Sequence, residues 1–266
     1  MNLFFIKPRL KKAEFSGFLV FGLYLLLSTG FAQVTNLDDA GPGSLRDAVA
    51  AAADGDTITF NVSGTINTAS TITTALNNLT LDGTGASITI DGQDSHQILE
   101  HTGTGTLEII NLTFQNGNAG GDGGAIESNN GGIIIVNSTF LNNFSGDDAG
   151  AVDSSNGNLT ITNSTFTRNS SADDGGAIEG VNVTITNSTF FGNSSGEDGG
   201  AIDSTGNVVV NDSIIYGNSA VDRAGGLFKL NAGTVTINNS LIAGNSAGGN
   251  GGGVRAFRAI TVTNST

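Results

Sequence analysis

The chain has 266 residues, with 40 Gly, no Cys, no Trp, and 10 Lys and Arg against 24 Asp and Glu. A formal charge of −14 repels nucleic acid and anionic membrane surfaces, and the missing cysteines exclude a disulfide framework and lipoprotein acylation. One folded domain accounts for the length if it is a solenoid.

At the start of the chain, Lys7, Arg9, Lys11 and Lys12 precede an apolar run from Phe15 to Leu27, followed by Ser28-Thr29-Gly30-Phe31-Ala32. This predicts a secretory signal peptide over residues 1–32, cleaved after Ala32. Its apolar core of 13 residues is shorter than the ~20 that span a bilayer. Removal leaves 6 basic side chains against 23 acidic ones, or −17. The expected location is extracellular or at the cell surface.

Residues 33–55 read as an N-terminal cap. Ser44 followed by Asp47 is a capping-box-like start, Leu45, Val49 and Ala52 share one helical face, and Gly55 stops the helix. Such a helix covers strand edges that the first coil of a stacked fold would otherwise expose. Residues 56–266 then read as one stacked β unit. Its first part, 56–106, is expected to hold about three degenerate coils, with T-L-D-G at Thr80 to Gly83 and T-I-D-G at Thr89 to Gly92.

From 107 to 266 the repeat is regular. F-x-x-N followed by a Gly-rich step recurs from Phe114 to Ile126, Phe140 to Val152, Phe166 to Ile178 and Phe190 to Ile202, with looser copies from Ile215 to Leu227 and Ile242 to Val254. The two anchors of each copy stand 12 residues apart, while the whole unit varies from 24 to 27 residues, so the variable half holds a loop. Seven residues before the Phe column stand Leu107, Ile133, Leu159, Val183, Val208 and Val235; five before it stand Ile109, Ile135, Ile161, Ile185, Val210 and Ile237. Apolar, β-branched residues two apart are the signature of short half-buried strands. No segment between them is long enough for a crossover helix. The fold class expected is therefore all-β: a right-handed parallel β-helix solenoid with an N-terminal capping helix, about three strands to a coil.

Two Asn columns fit such a stack. Asn143, Asn169, Asn193, Asn218 and Asn245 follow the Phe column by three, with Gly117 the exception, and Asn111, Asn137, Asn163, Asn187, Asp212 and Asn239 precede it by three. Both are expected to be corners, where amides hydrogen-bond up the stack and Asn tolerates left-handed backbone. The N-x-S/T sequons at Asn137, Asn163 and Asn187 fall out of this corner pattern. The Gly-Gly pairs mark positive φ or close backbone approach rather than a phosphate loop. Ile260, Val262 and Asn264 begin a further unit, so the chain is expected to continue past Thr266.

The acids are patterned too. Asp122, Asp148, Asp174 and Asp198 stand before the Gly-rich step, joined one position earlier by Asp147, Asp173 and Glu197; Glu127, Asp153, Glu179 and Asp203 stand after it. Arg223 and Arg255 enter these two columns in the looser units and relieve repulsion there. Calcium favours such carboxylate clusters and is the one cofactor kept open, but the expectation preferred is a solvated acidic face. Asp147/Asp148 and Asp173/Asp174 have the residue types of a glycosidase pair, yet identical repetition argues against a single catalytic site. His96 and His101 are expected at the surface or an edge, without the orienting partner a general base needs. No catalytic, cofactor-binding or metal-ligating residue is therefore assigned.

The paired F-x-x-N and G-G-A-I motifs over residues 107–266 resemble the polymorphic outer membrane proteins of chlamydiae and bacterial secreted proteins sharing that repeat. The resemblance implies a β-helix passenger, secreted or displayed at the cell surface, with a role in adhesion. Its partners would be host-cell, matrix or polysaccharide ligands, and outer-membrane association would come from a C-terminal region not in this sequence. G-P-G-S-L-R-D-A-V at Gly41 to Val49 is similar to the cap of pectate lyases, which implies a pectin-lyase-like fold rather than activity. The lyases' Arg-x-Pro and Trp-Ile-Asp-His segments are missing, and Arg168, Arg223, Arg255 and Arg258 have no motif that marks a base. The function expected is an adhesin-like binding and scaffold module without catalysis in this stretch. The alternatives are a polysaccharide lyase or glycoside hydrolase, and a passive spacer.

Overall fold

The structure, a computed structural model, describes residues 32–231 and 233–266; the expected signal segment, residues 1–32, lies outside them apart from Ala32. Strand β1 (Ala32–Val34) leads into helix α1 (Leu45–Ala51) and then β2 (Asp56–Phe60), which pairs with β1 in parallel. Ser44 caps the helix, its Oγ accepting the Asp47 N–H at 3.2 Å. Leu45, Ala48 and Val49 are buried against the end of the stack. The helix ends at Ala52, whose backbone is already extended, three residues before the Gly55 expected to stop it.

The remaining backbone coils. After β2, strands β3 (Gly64–Asn67) and β4 (Ile72–Thr74) complete one turn, and Leu79–Asp82 begins the next by pairing back onto β2. All pairing is parallel and builds a ten-stranded sheet, two eight-stranded sheets and a six-stranded sheet. The stretch 56–106 holds two full turns rather than three, since the third opens with Thr106–Ile110. A regular turn has four strands, one more than expected. In one coil these are Leu159–Thr162, Thr165–Thr167, the two-residue Ser170–Ser171 and Ile178–Gly180. The fourth strand was hidden because two residues show no periodicity.

The core is a set of stacked columns. Phe114, Phe140, Phe166 and Phe190 are fully buried, with successive ring centroids 5.3, 4.7 and 4.7 Å apart and ring planes within 6° of parallel. That spacing is the strand repeat itself, so each ring has the previous ring as its floor. Ile215 and Ile242 continue the column in register. Every one of these burials stabilises by about 2 kcal/mol against exposure.

Both Asn columns form ladders, but with different backbone. Asn111, Asn137, Asn163, Asn187, Asp212 and Asn239 have φ near +50° and turn the first corner. The buried column does not: at the second corner the left-handed residue is the one before it, Asn142, Arg168, Gly192, Gly217 and Gly244 in successive coils. Asn143, Asn169, Asn193 and Asn218 are instead buried and each donates Nδ2 to the next amide Oδ1 at 2.9–3.0 Å. A Ser ladder runs beside them, with the backbone N–H of Ser138, Ser164, Ser188 and Ser213 each donating to the next coil's Ser Oγ.

Candidate functional site

The Gly-rich step forms a loop that folds back over the outer face of one eight-stranded sheet. Its first small residue sits at left-handed φ, as at Gly123, Ala149, Gly175, Gly199 and Ala224. Its second is Gly because nothing larger fits: a Cβ on Gly150 would stand 2.3 Å from the Gly176 carbonyl oxygen and 2.5 Å from the Ser170 nitrogen. The first small residue packs on the acidic strand: a Cβ on Gly175 would stand 2.7 Å from the Ile178 carbonyl oxygen and 3.6 Å from Asp203 Cβ, which lays the loop's acids against those of the strand beneath.

In the loop, Asp122, Asp148, Asp174 and Asp198 form a ladder. The Oδ1 of each accepts the backbone N–H at the same place one coil on: Asp148 to Asp122 at 3.1 Å, Asp174 to Asp148 at 2.8 Å, Asp198 to Asp174 at 2.7 Å and Arg223 to Asp198 at 2.9 Å. On the strand, Glu127, Asp153, Glu179 and Asp203 are in direct register. They point away from the core, yet three of the four are not solvated. Asp153 is 2%, Asp203 4% and Glu179 9% exposed. The strand part of the expected solvated acidic face is thus a covered furrow, while Asp147 and Glu197 of the loop are exposed.

Burial and like charge hold protons on these acids. Burial, then Asp122 and Glu127 nearby, pushes Asp153 up to about 7 against its Ser155 hydrogen bonds. Asp174 is pushed up to about 7 by burial and its Asp198, Asp148 and Asp173 neighbours. Asp203 rises to about 8 through burial, with Asp174 and Asp148 adding to it. Glu179 rises to about 9, again by burial first and then by Asp203, Asp153, Asp148 and Asp174. Two oxygens of this group, Glu179 Oε2 and Asp173 Oδ1, are buried without a hydrogen-bond partner.

Nitrogen donors stand at both ends of the furrow. At one end Gln97 Nε2 donates to Glu127 Oε2 at 3.1 Å and to the Asp122 and Gly123 carbonyls. At the other, Arg223 reaches back with Nη2 2.5 Å from Asp198 Oδ2, Nε 2.9 Å from Asp198 Oδ1 and 3.1 Å from Asp222 Oδ2. Arg223 therefore neutralises the first column, as its position in the sequence suggests. Arg255 does not do so for the second, because Phe228 separates it in register from Asp203 and its guanidinium lies 5.1 Å from the Phe257 ring.

Of the two histidines, only His101 departs from the expected surface or edge position. His101 is 0% exposed, its Nε2 donating to the Leu76 carbonyl and its Nδ1 meeting Ser128 Oγ, both at 2.8 Å. It is a core hydrogen-bonding residue with no face for substrate. His96 is half-buried against Thr68 Oγ1 at 2.9 Å and lines a cleft of about 360 Å³ that also touches Gln97, Asp122 and Glu127. A second cleft, about 470 Å³, lies on the ten-stranded face between Thr104, Thr106, Asn130, Asn156, Asn158 and Thr160. Phe191 and Tyr216 stack outside the core with centroids 5.8 Å apart. The buried Ser ladder and the partnerless Glu179 were missed by sequence reasoning; Ser after each first-corner residue from Asn137 to Asn239 was the available signal for the former.

A family model described as a right handed beta helix region matches residues 97–266, more than half of the chain. No curated protein and no solved structure matches it.

Proposed function

The chain belongs to the right-handed β-helix family, and from that premise we propose that it is an exported binding and scaffold module, adhesin-like, working at a cell surface or outside the cell. The repeat pattern of the polymorphic outer membrane type supports display at a surface through a region beyond this sequence. The observation that carries the reading is where chemical variety lies. Inward positions repeat from coil to coil, whereas the exposed ten-stranded face varies, placing Thr106, Asn130, Asn158 and Thr160 around an open polar cleft of about 470 Å³. Hydroxyls and amides on a flat, rigid surface suit hydrogen bonding to sugar hydroxyls, so host-cell, matrix or free polysaccharide glycans are the partners proposed.

The test is saturable binding of the purified chain to cells and to immobilised polysaccharide, compared with a Thr106→Glu, Thr160→Glu variant. Binding that saturates in the parent and drops at least tenfold in the variant supports the reading. Absence of saturable binding overturns it and leaves a spacer.

A second reading rests on Glu179 and Asp203, which hold protons near neutral pH beside ionisable neighbours, as an acid–base pair of a glycoside hydrolase does. It requires release of reducing or unsaturated sugar that Glu179→Gln abolishes. Both carboxyls lie under the loop, which leaves no groove for a chain of sugars and makes this the lesser reading.

A further inference from the structure

We propose that Arg168, Phe191 and Tyr216 form a second binding strip, and that it takes the pyranose rings of a neutral glycan. The strip shares its ligand class with the reading above but lies on another sheet, so each can fail alone. It sits on the outer face of the eight-stranded sheet whose inner face carries the Phe column. After each residue of that column the outward residue is Gln115, Leu141, Thr167, Phe191, Tyr216 and Ala243 in successive coils. Aromatic side chains thus fill this position in two neighbouring coils, 43% and 47% exposed. Ile214, two residues before Tyr216 and on the same face, is 43% exposed.

The adjoining corner shows that these side chains are seated on the surface. Its left-handed residue is Asn142 and then Arg168, but Gly192, Gly217 and Gly244 in the coils that follow. Each of those glycines is approached by the side chain of the coil before. A Cβ on Gly217 would stand 3.4 Å from Phe191 Cε2, one on Gly244 2.8 Å from Tyr216 Cε2, and one on Gly192 3.8 Å from Arg168 Cγ. Left-handed backbone does not by itself demand glycine here, since Asn142 and Arg168 adopt it. At Gly244 the tyrosine ring takes the space a side chain would need. The two rings are parallel to within 3° with centroids 5.8 Å apart, an offset stack open to solvent on its outer side.

Apolar ring surface bordered by hydrogen-bonding groups is the complement of a pyranose, which has an apolar C–H face and hydroxyls around its rim. Such groups stand along the strip. Thr167 pairs in register with Phe191, Tyr216 carries its own hydroxyl, and neither oxygen has a hydrogen-bond partner among the described residues. Arg46 and Arg223 are ion-paired, whereas Arg168 donates only Nε, to Asn142 Oδ1 at 3.0 Å, and keeps both Nη groups for a ligand. A formal charge of −14 disfavours a polyanion, so the glycan is neutral. A second copy of the chain is too large an occupant. Phe191, Ile214, Tyr216 and Leu241 together expose roughly 400 Å², half of the about 800 Å² that each side of a stable protein interface buries.

The strip contains its own reporter. Tyr24 and Tyr216 are the two tyrosines and there is no Trp, so in the full chain carrying Tyr24→Phe all tyrosine emission comes from Tyr216. The experiment is titration of that protein with cellohexaose, chitohexaose and mannohexaose, followed by tyrosine fluorescence. A saturable change with at least one of them, half complete below about 10 mM, is expected. Phe191→Thr, which repeats Thr167 of the coil before, should weaken it about tenfold while the melting temperature stays at the parent's. Arg168→Gln should weaken it about threefold or more, and it decides the matter where Phe191→Thr fails to fold. No saturable change with any of the three sugars would overturn the proposal, and so would parental affinity in Phe191→Thr. A parent that sediments as a dimer and becomes a monomer with Phe191→Thr would also overturn it, by giving the strip to a second copy.

Discussion

Asn169 shows how much one side chain does in this stack. Its Oδ1 accepts from the Asn143 N–H and Nδ2, and its Nδ2 donates to Asn193 Oδ1 and the Phe140 carbonyl. No other residue type has two acceptor sites and two donors at that reach except a longer Gln. Asn169→Ala orphans buried groups on both neighbouring coils and is expected to cost about 3 kcal/mol in urea unfolding. Asn169→Asp should cost more, because a carboxylate cannot donate either bond. The furrow acids act at the same scale. Asp153, Asp174, Asp203 and Glu179 titrate well above their ordinary values of 3.8 and 4.5 when folded. A raised carboxyl pKa favours the protonated, folded form, so their contribution is complete below about pH 4 and is lost as pH rises through about 7 to 9. Melting temperature in chelator should fall steadily from pH 5 to about pH 9. A flat or rising profile over that range would contradict the buried furrow.

An element here is a coil, and two side-chain positions decide whether it stacks. Phe166 lies between Phe140 and Phe190 with both centroids 4.7 Å away. Phe166→Ala therefore empties two ring contacts and is expected to destabilise by about 4 kcal/mol in denaturant titration. Gly176 governs the loop. A Cβ there would stand 2.2 Å from the Gly200 carbonyl oxygen and 2.5 Å from the Ser194 carbonyl carbon. Gly176→Ala must part the loop from its copy one coil on and from the Ser194–Ser195 strand, so it should destabilise the fold by an amount that urea unfolding reads.

At the scale of the molecule, stability is a sum over neighbouring coils rather than over one central core. A lesion in the middle then divides the stack more than it lowers the whole. Phe166→Ala is accordingly expected to turn a single calorimetric unfolding transition into two, with the coils after Ile178 unfolding apart from those before Phe140. The acids set a limit of the same kind: 11 of the 24 stand in the adjoining loop and strand columns, and their mutual repulsion strains the stack coil by coil as they ionise.

Columns such as Leu107 to Val235 and Phe114 to Ile242 were readable in the sequence because an inward side chain must repeat wherever its coil repeats, and the period of two needs no knowledge of the neighbours. The Ser44 cap was readable for a similar reason: its hydrogen bond is local. His101, Asp153, Glu179 and Asp203 were misplaced at the surface because their burial depends on contacts between segments far apart in the chain. A strand's outward position is solvated only if nothing folds over it, and here the Gly-rich loop does. The sequence by itself determined the repeating β stack, its inward columns and its capping helix. The tertiary structure alone decided which outward acids lose their water, since desolvation belongs to the packed loop and strand together and to neither segment's pattern.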